Sequence, residues 1–349
     1  MRSAGVKNYL YHWLTSLRRH GSVGEEIRVF PLLAGPGTLH HDASDFSVWS
    51  TVPKLAAMHA ASRLGPGAVG LLAGKTDLFH ASNQVHCGPP RTRLTATVHD
   101  VTSRLMPEVH ARGNIDADRR FVDRILKRAD ALIAVSENTR QDAIRWWGLP
   151  EDRITTIYSG VPEVYFDAPP LRRHRPYVLY VGTIEPRKNL NALLDAWSLL
   201  RAELRHKFEL VFAGPAAWGD KDTLNRIRAQ ATYLGYVPEP DLPGLTAGAV
   251  AFAYPSLYEG FGFPIVQAMA AGTPVLTSNT SCLPEIAGEA AMLVDPRSPA
   301  EIASGLTRLL ESDNLRADLS VRGRERASIF RWDRCAEESL RFFRTVAGK

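Results

Sequence analysis

The stretch SLYEGFGFPIVQAMAAGTP, residues 256–274, is too rich in glycine for a plain strand and too apolar for a plain loop. It follows VAFAYPS (250–256), an apolar run that reads as a buried strand. It turns helical where Pro264 stands, a residue suited to the first helical position because its missing N–H would have no partner there. Gly272 ends that helix after little more than two turns. Glu259, Gly260, Phe261 and Gly262 therefore form a strand-to-helix loop at the carboxyl edge of a sheet, where open α/β sheets bind ligands.

Glycines let backbone N–H groups approach a ligand, and a helix N-terminus favours an anion. Gln267 is expected in the first turn of the helix, its amide bordering the same pocket as the Glu259 carboxylate. A carboxylate beside a site that favours anions calls for a neutral, hydroxyl-rich partner next to the anion, and a sugar fits. The plain alternative is a glycine-bearing turn with a solvated Glu. The segment YVGTIEPRKNLNALLDAW (180–197) repeats the strand, glycine turn and helix plan, with Arg187 and Lys188 at the helix entrance and Asn189 placed to cap it. Two cations beside free helix N–H groups suit a diphosphate, Arg as a planar fork and Lys as a point charge. A solvated basic turn is the competing reading.

Working outward, short apolar runs alternate with amphipathic ones, the pattern of parallel sheets covered by helices. Strands are expected at 27–33, 78–82, 94–100, 131–136 and 154–160, then at 177–183, 208–214, 232–237, 250–256, 274–278 and 291–295. The proline-rich, basic FDAPPLRRHRP (166–176) is a linker. The organisation read from this is a first Rossmann-like domain over 1–165, the linker over 166–176, a second such domain over 177–329, and a C-terminal helix over 330–349 that packs back toward the first domain. A doubly wound domain opens with a strand, but here Gly5 is followed at once by a helical pattern and no apolar run precedes it. The first strand of the N-terminal domain is therefore expected to be missing.

The 349 residues suffice for two domains, with 45% hydrophobic and 23% charged residues. No run of about 18 apolar residues is present to span a bilayer, and no signal peptide opens the chain. The three cysteines, Cys87, Cys282 and Cys335, make neither a disulfide framework nor a metal pattern, which points to the cytoplasm. The net charge of +5 is diffuse, with 20 Lys and Arg against 16 Asp and Glu through Glu163. Nucleic-acid binders concentrate such charge beside stacking aromatics, so nucleic acid is not an expected partner.

With these motifs assembled, the chain resembles the retaining glycosyltransferases of family 4, which have the GT-B fold of two facing Rossmann-like domains. The likeness runs from EPRKN and PSLYEGFGFPIVQAMAAGTPV through TVHDVTSRLMPE (97–108), ADALIAVSENTRQD (129–142), IYSGV (157–161) and LPEIAGEAAMLVDP (283–296). It implies transfer of a hexose from a nucleotide diphosphate sugar to an acceptor hydroxyl, without a metal or other cofactor. Arg187 and Lys188 match the diphosphate-binding basic pair. Glu259 matches the first glutamate of the E-x7-E motif, which contacts donor-sugar hydroxyls with help from backbone around Gly260, Phe261 and Gly262. The second glutamate, which grips ribose, is here Gln267, and Thr183 stands where many members have arginine. Gly5 resembles the glycine of the loop after the first strand, and His99 the histidine near the reacting hydroxyl. The catalytic set read this way is His99, Glu259 and Lys188.

The pattern is most similar to mannosyl- and rhamnosyltransferase-like members that build surface polysaccharides. GDP-mannose is the preferred donor, and a glycan or lipid-linked molecule the acceptor. The helix after Gly5, with Tyr9, Trp13, Arg18 and Arg19, fits either a core or the inner face of a membrane, core packing being the main expectation. Ser136 reads as a helix cap and Ser159-Gly160 as a hinge or turn. A dehydrogenase is rejected because GPGAVG (65–70) follows a helical stretch instead of a strand. An epimerase or glycan phosphorylase on the same fold, or an inactive nucleotide-sugar-binding protein, are the remaining alternatives.

Overall fold

The computed structural model describes residues 5–22, 25–29, 48–81, 85–216 and 221–348, with backbone alone at Lys7 and residues 48–55. The chain divides into two compact units, Met1–Gly160 with Trp332–Lys349, and Val161–Arg331. The division thus falls a little before the expected boundary at 165. The segment 166–176 has no regular element, but it is fastened to the second unit. Leu171 donates its N–H to the Gly244 carbonyl at 2.8 Å, Arg173 pairs with Glu209 at 2.9 Å, and Arg175 reaches the Phe208 carbonyl at 2.7 Å.

The second unit is built on β5 (Tyr177–Val181), β6 (Glu209–Ala213), β7 (Thr232–Gly235), β8 (Ala251–Tyr254), β9 (Val275–Ser278) and β10 (Ala291–Val294). All pair in parallel, in the order β10-β9-β8-β5-β6-β7. From β5 the chain winds outward through β6 and β7, then returns to the other side for β8, β9 and β10. The switch point lies between β5 and β8, and the crevice at their carboxyl ends is where a doubly wound sheet binds ligands. The central strands are apolar on both faces because helices cover both: Val178, Leu179 and Tyr180 are fully buried, as are Ala251 and Ala253. Helices Leu190–Leu199 and Phe263–Ala270 start just beyond the ends of β5 and β8.

The first unit contains β1 (Leu78–Ala81), β2 (Arg93–Val98), β3 (Ala131–Ala134) and β4 (Ile154–Thr156), parallel and adjacent in that order. The strand expected at 27–33 is described only through Val29, with no strand there, and residues 30–33 lie outside the described residues. The first described element is the helix Gly5–His20. It packs on the C-terminal helix Trp332–Ala347, where Trp13 Nε1 donates to Ser339 Oγ at 3.0 Å and Ser16 Oγ to Asp333 at 3.1 Å.

Tyr9 and Trp13 are 1% and 3% exposed, and burying an aromatic ring of this kind contributes roughly 2–3 kcal/mol. The rings of Tyr9 and Trp13 are thereby committed to the core, in keeping with the core-packing expectation for this helix. The GPGAVG segment lies at the junction of helices Val48–Leu64 and Pro66–Ala73, not after a strand. Gly160 permits a close crossing: a Cβ there would stand 2.3 Å from the Trp332 backbone nitrogen.

Candidate functional site

The two loops at the switch point of the second unit are tied together by backbone. Leu257 N–H, in the loop after β8, donates to the Arg187 carbonyl, in the loop after β5, at 2.9 Å. Asn189 sits in the left-handed region at φ 61° and makes no side-chain cap. Its amide instead donates to the carbonyls of Pro255 and Pro296 at 3.1 and 2.6 Å. The capping role expected for Asn189 is thus replaced by one that pins the β5 loop to the β8 and β10 loops. Ser278 and Thr277 fix the other side, donating to the carbonyls of Ser256 and Tyr254 at 2.6 and 2.8 Å.

Between these loops lies a buried polar cluster. Lys188 and Glu259, each 7% exposed, meet at 2.6 Å between Nζ and Oε1. Arg187 closes on Glu259 Oε2 at 2.9 Å and on Glu185 at 2.8 Å, and it donates to the Tyr258 carbonyl at 2.6 Å. The same Oε1 accepts from Ser256 Oγ at 2.7 Å and from the Tyr254 hydroxyl at 2.9 Å. Lys188 also donates to the Tyr254 oxygen at 2.7 Å. Ser281, at φ 55°, accepts from the Glu259 N–H at 2.9 Å and donates to its carbonyl at 3.1 Å, so the residue is held at side chain and backbone alike.

Burial alone would push the Glu259 carboxyl up. The charges of Arg187 and Lys188, with hydrogen bonds from Lys188 and Ser256, outweigh it and hold the group at about 2. Lys188 is pulled down from its ordinary value first by burial, against the opposing pull of Glu259. Tyr254 is pushed well above 10 by burial and by the neighbouring carboxylate, so its hydroxyl keeps its proton. The Glu259 carboxyl is therefore ionised across neutral pH.

The structure thus brings together Arg187, Lys188 and Glu259, as the sequence predicts, and adds Glu185, Tyr254, Ser256 and Ser281, which sequence reasoning missed. It also changes the electrostatic picture, because the two cations already face two carboxylates. Gly262, at φ 88°, sits where a Cβ would lie 3.0 Å from Leu283, so a side chain is excluded at this turn. Gly260 is buried in the same loop. Phe261 turns its ring into the core at 4% exposure, 5.6 Å from the Phe330 ring, leaving only its backbone to the loop. Gln267 lies in the second turn of helix Phe263–Ala270, not the first, because the helix begins at Phe263. It is half-buried.

In the first unit His99 follows β2 at its carboxyl end, half-buried, its ring packed edge-to-face with that of Tyr9 at 4.9 Å between centroids. Its neighbour Asp100 caps the next turn, accepting from the Thr102 N–H and hydroxyl at 3.0 and 2.6 Å. Gly5 is the first residue of the opening helix and exposed, not part of a preceding turn. Ser136 is a cap as expected, accepting from the Thr139 N–H at 3.1 Å.

Residues 163–326 match the family described as Glycosyl transferases group 1, and residues 4–165 match Glycosyltransferase Family 4. The chain is 35% identical over 270 residues to the O-antigen chain mannosyltransferase B of Escherichia coli, covering 73% of this chain and 71% of that one. It is 28% identical over 235 residues to a serotype-specific mannosyltransferase WbdA of Escherichia coli, of whose length it spans only 29%. Among solved structures, a sucrose-phosphate synthase from Thermosynechococcus elongatus matches with a TM-score of 0.71 at 21% identity, over 99% of this chain and 94% of that one. That likeness is one of fold, the two-domain GT-B arrangement of parallel sheets.

Proposed function

The chain belongs to the family 4 and group 1 glycosyltransferases, hexosyltransferases by class, and from that premise we propose that it moves a mannose-like hexose from a nucleotide diphosphate sugar to a glycan hydroxyl during polysaccharide synthesis. The observation that carries this reading is the buried Lys188–Glu259–Arg187 cluster at the β5/β8 switch point. A diphosphate needs cations and free N–H groups, and the attached sugar needs a carboxylate within reach. Two cations and a carboxylate lie here within one loop pair, which supports the reading.

On this reading Arg187 and Lys188 hold the diphosphate, and Glu259 holds sugar hydroxyls as an ionised acceptor. Gln267 takes the place of a ribose-binding carboxylate: an amide offers one acceptor oxygen and two N–H donors, and hydroxyls accept either. The reaction is a front-face transfer with retention. The bond from C1 to the diphosphate oxygen breaks as the acceptor oxygen bonds C1 on the same face, and the departing oxygen takes the acceptor's proton. The chain's contribution is stabilising the leaving charge and excluding water, so the cations do the work a metal would otherwise do. His99 positions or polarises the reacting hydroxyl.

GDP-mannose is the proposed donor, a choice supported by the mannosyltransferase names of the relatives. A lipid-linked acceptor would bring the enzyme to the membrane surface; among the described residues no helix is long and apolar enough to cross one. The test is a panel of nucleotide sugars screened for protection against thermal unfolding, followed by acceptor-dependent nucleotide release and assignment of the product anomer by NMR. Protection by GDP-mannose and an α-linked product are expected. Sugar isomerisation without acceptor, or turnover only with phosphate and a glycan, would replace this reading by an epimerase or a phosphorylase.

A further inference from the structure

Tyr254 ends β8 inside the run VAFAYPS, where its neighbours are core. It is 1% exposed, and its ring stacks on Tyr180 at 5.7 Å and 13°. Its hydroxyl has two partners of opposite charge. It accepts from Lys188 Nζ at 2.7 Å and donates to Glu259 Oε1 at 2.9 Å, while Nζ and Oε1 meet directly at 2.6 Å. The three groups form a closed triangle.

The two carboxylate oxygens of Glu259 are consequently unequal. Oε1 accepts from Lys188, Tyr254 and Ser256, whereas the contact of Oε2 among the described residues is Arg187 at 2.9 Å. Lys188 has three N–H donors. Two are fixed by the triangle, and the third has Glu185 only at 3.8 Å.

We propose that Tyr254 is a positioning residue for the transfer. By joining Lys188 to Oε1 it anchors one carboxylate oxygen, so that Oε2 is the oxygen that exchanges Arg187 for a hydroxyl of the donor sugar. The same bond turns the third Lys188 N–H toward the diphosphate. Phenylalanine could fill the space but could not bridge the two charges, and a phenol can because it accepts and donates at once. The role rests on the donor-site reading given above.

The experiment uses the full chain and its Tyr254→Phe, Tyr254→His and Lys188→Ala variants. GDP affinity is measured by calorimetry, turnover by GDP release from GDP-mannose against pH, and folding by thermal melting. The charged and titratable groups that face Lys188 and Glu259 are Tyr180 on β5, Glu185 and Arg187 in the next loop, Tyr254 on β8, and Cys282 beyond β9. Removing the hydroxyl takes an acceptor from the ammonium and so favours the neutral amine. The alkaline limb of kcat should move about one pH unit toward acid in Tyr254→Phe, and kcat should fall roughly 10- to 100-fold with the acceptor KM unchanged.

Tyr254→His, whose ring can both donate and accept, should recover part of the turnover. It decides the matter alone should the Phe variant not fold. If Lys188→Ala weakens GDP binding while Tyr254→Phe keeps the wild-type kcat and pH profile, the positioning role is refuted and the donor site stands. If Lys188→Ala binds GDP as tightly as the wild type, the donor-site reading itself falls, and this role with it.

Discussion

Replacing Glu259 by glutamine keeps the shape of the side chain and removes its charge, leaving Lys188 and Arg187 facing an amide. Two routes give the expected cost. The carboxyl is held at about 2 against an ordinary 4.5, and that gap converts to roughly 3 kcal/mol of folding free energy. Independently, deleting one partner of a buried ion pair costs about 3–5 kcal/mol. Because the folded-state value is depressed, the contribution is fully present above pH 4.5 and is lost as the pH falls toward 2. At pH 7 the variant should be about 3 kcal/mol less stable, a melting point roughly 6–12 °C lower. By pH 3 the difference should shrink to roughly half. Urea unfolding of both proteins from pH 7 to pH 3 measures this. A variant within 1 kcal/mol of the wild type at pH 7, or a gap that does not narrow in acid, would refute the electrostatic account of the cluster (the ~1 kcal/mol threshold being the size of an ordinary neutral hydrogen bond).

Lys188→Ala should lower kcat by about 100-fold or more while changing the acceptor KM little, because the lost interaction is with charge that develops on the leaving group; steady-state kinetics in both substrates separates the two. Gln267→Glu should alter donor affinity by no more than about tenfold, the difference between a charged and a neutral hydrogen bond, and calorimetry showing a hundredfold change would contradict it. Gly214→Ala should be poorly folded. Gly214 has φ 140°, and a Cβ there would stand 2.0 Å from the Gly182 carbonyl oxygen, so the yield of soluble protein and its melting temperature should both fall steeply.

Much of the second unit was legible because its strands are apolar on both faces and its turns are marked by glycine. Arg187, Lys188 and Glu259 stood out as charges in otherwise apolar or glycine-rich turns. Tyr254 and Ser256 did not, since a hydroxyl within a strand reads as core. Their importance depends on β5 lying beside β8, a pairing between strands far apart in sequence. Glu185 was hidden for a similar reason: a charge beside a turn proline looks solvated until its arginine partner folds back on it. Gln267 was placed one helical position too early, enough to put it in the first turn instead of the second, because the helix starts at Phe263, one residue before the proline that seemed to mark its beginning. For Tyr9 and Trp13 amphipathicity alone fits a core or a membrane surface, and it is the C-terminal helix, packed on them, that favours the core.

If the cluster is the donor site proposed above, the pairing of Arg187 with both Glu185 and Glu259 bears on how that site would let go of its product. On the proposed donor site, an arriving sugar nucleotide would offer a new anion to the guanidinium and new hydroxyls to the carboxylate left behind, so that both halves of the broken contact would be satisfied. On that reading a spent nucleoside diphosphate, having lost the sugar, would leave Oε2 without a hydroxyl, while Oε1 keeps Lys188, Tyr254 and Ser256. On the proposed donor site, the resting ion pair would compete against the product more strongly than against the substrate.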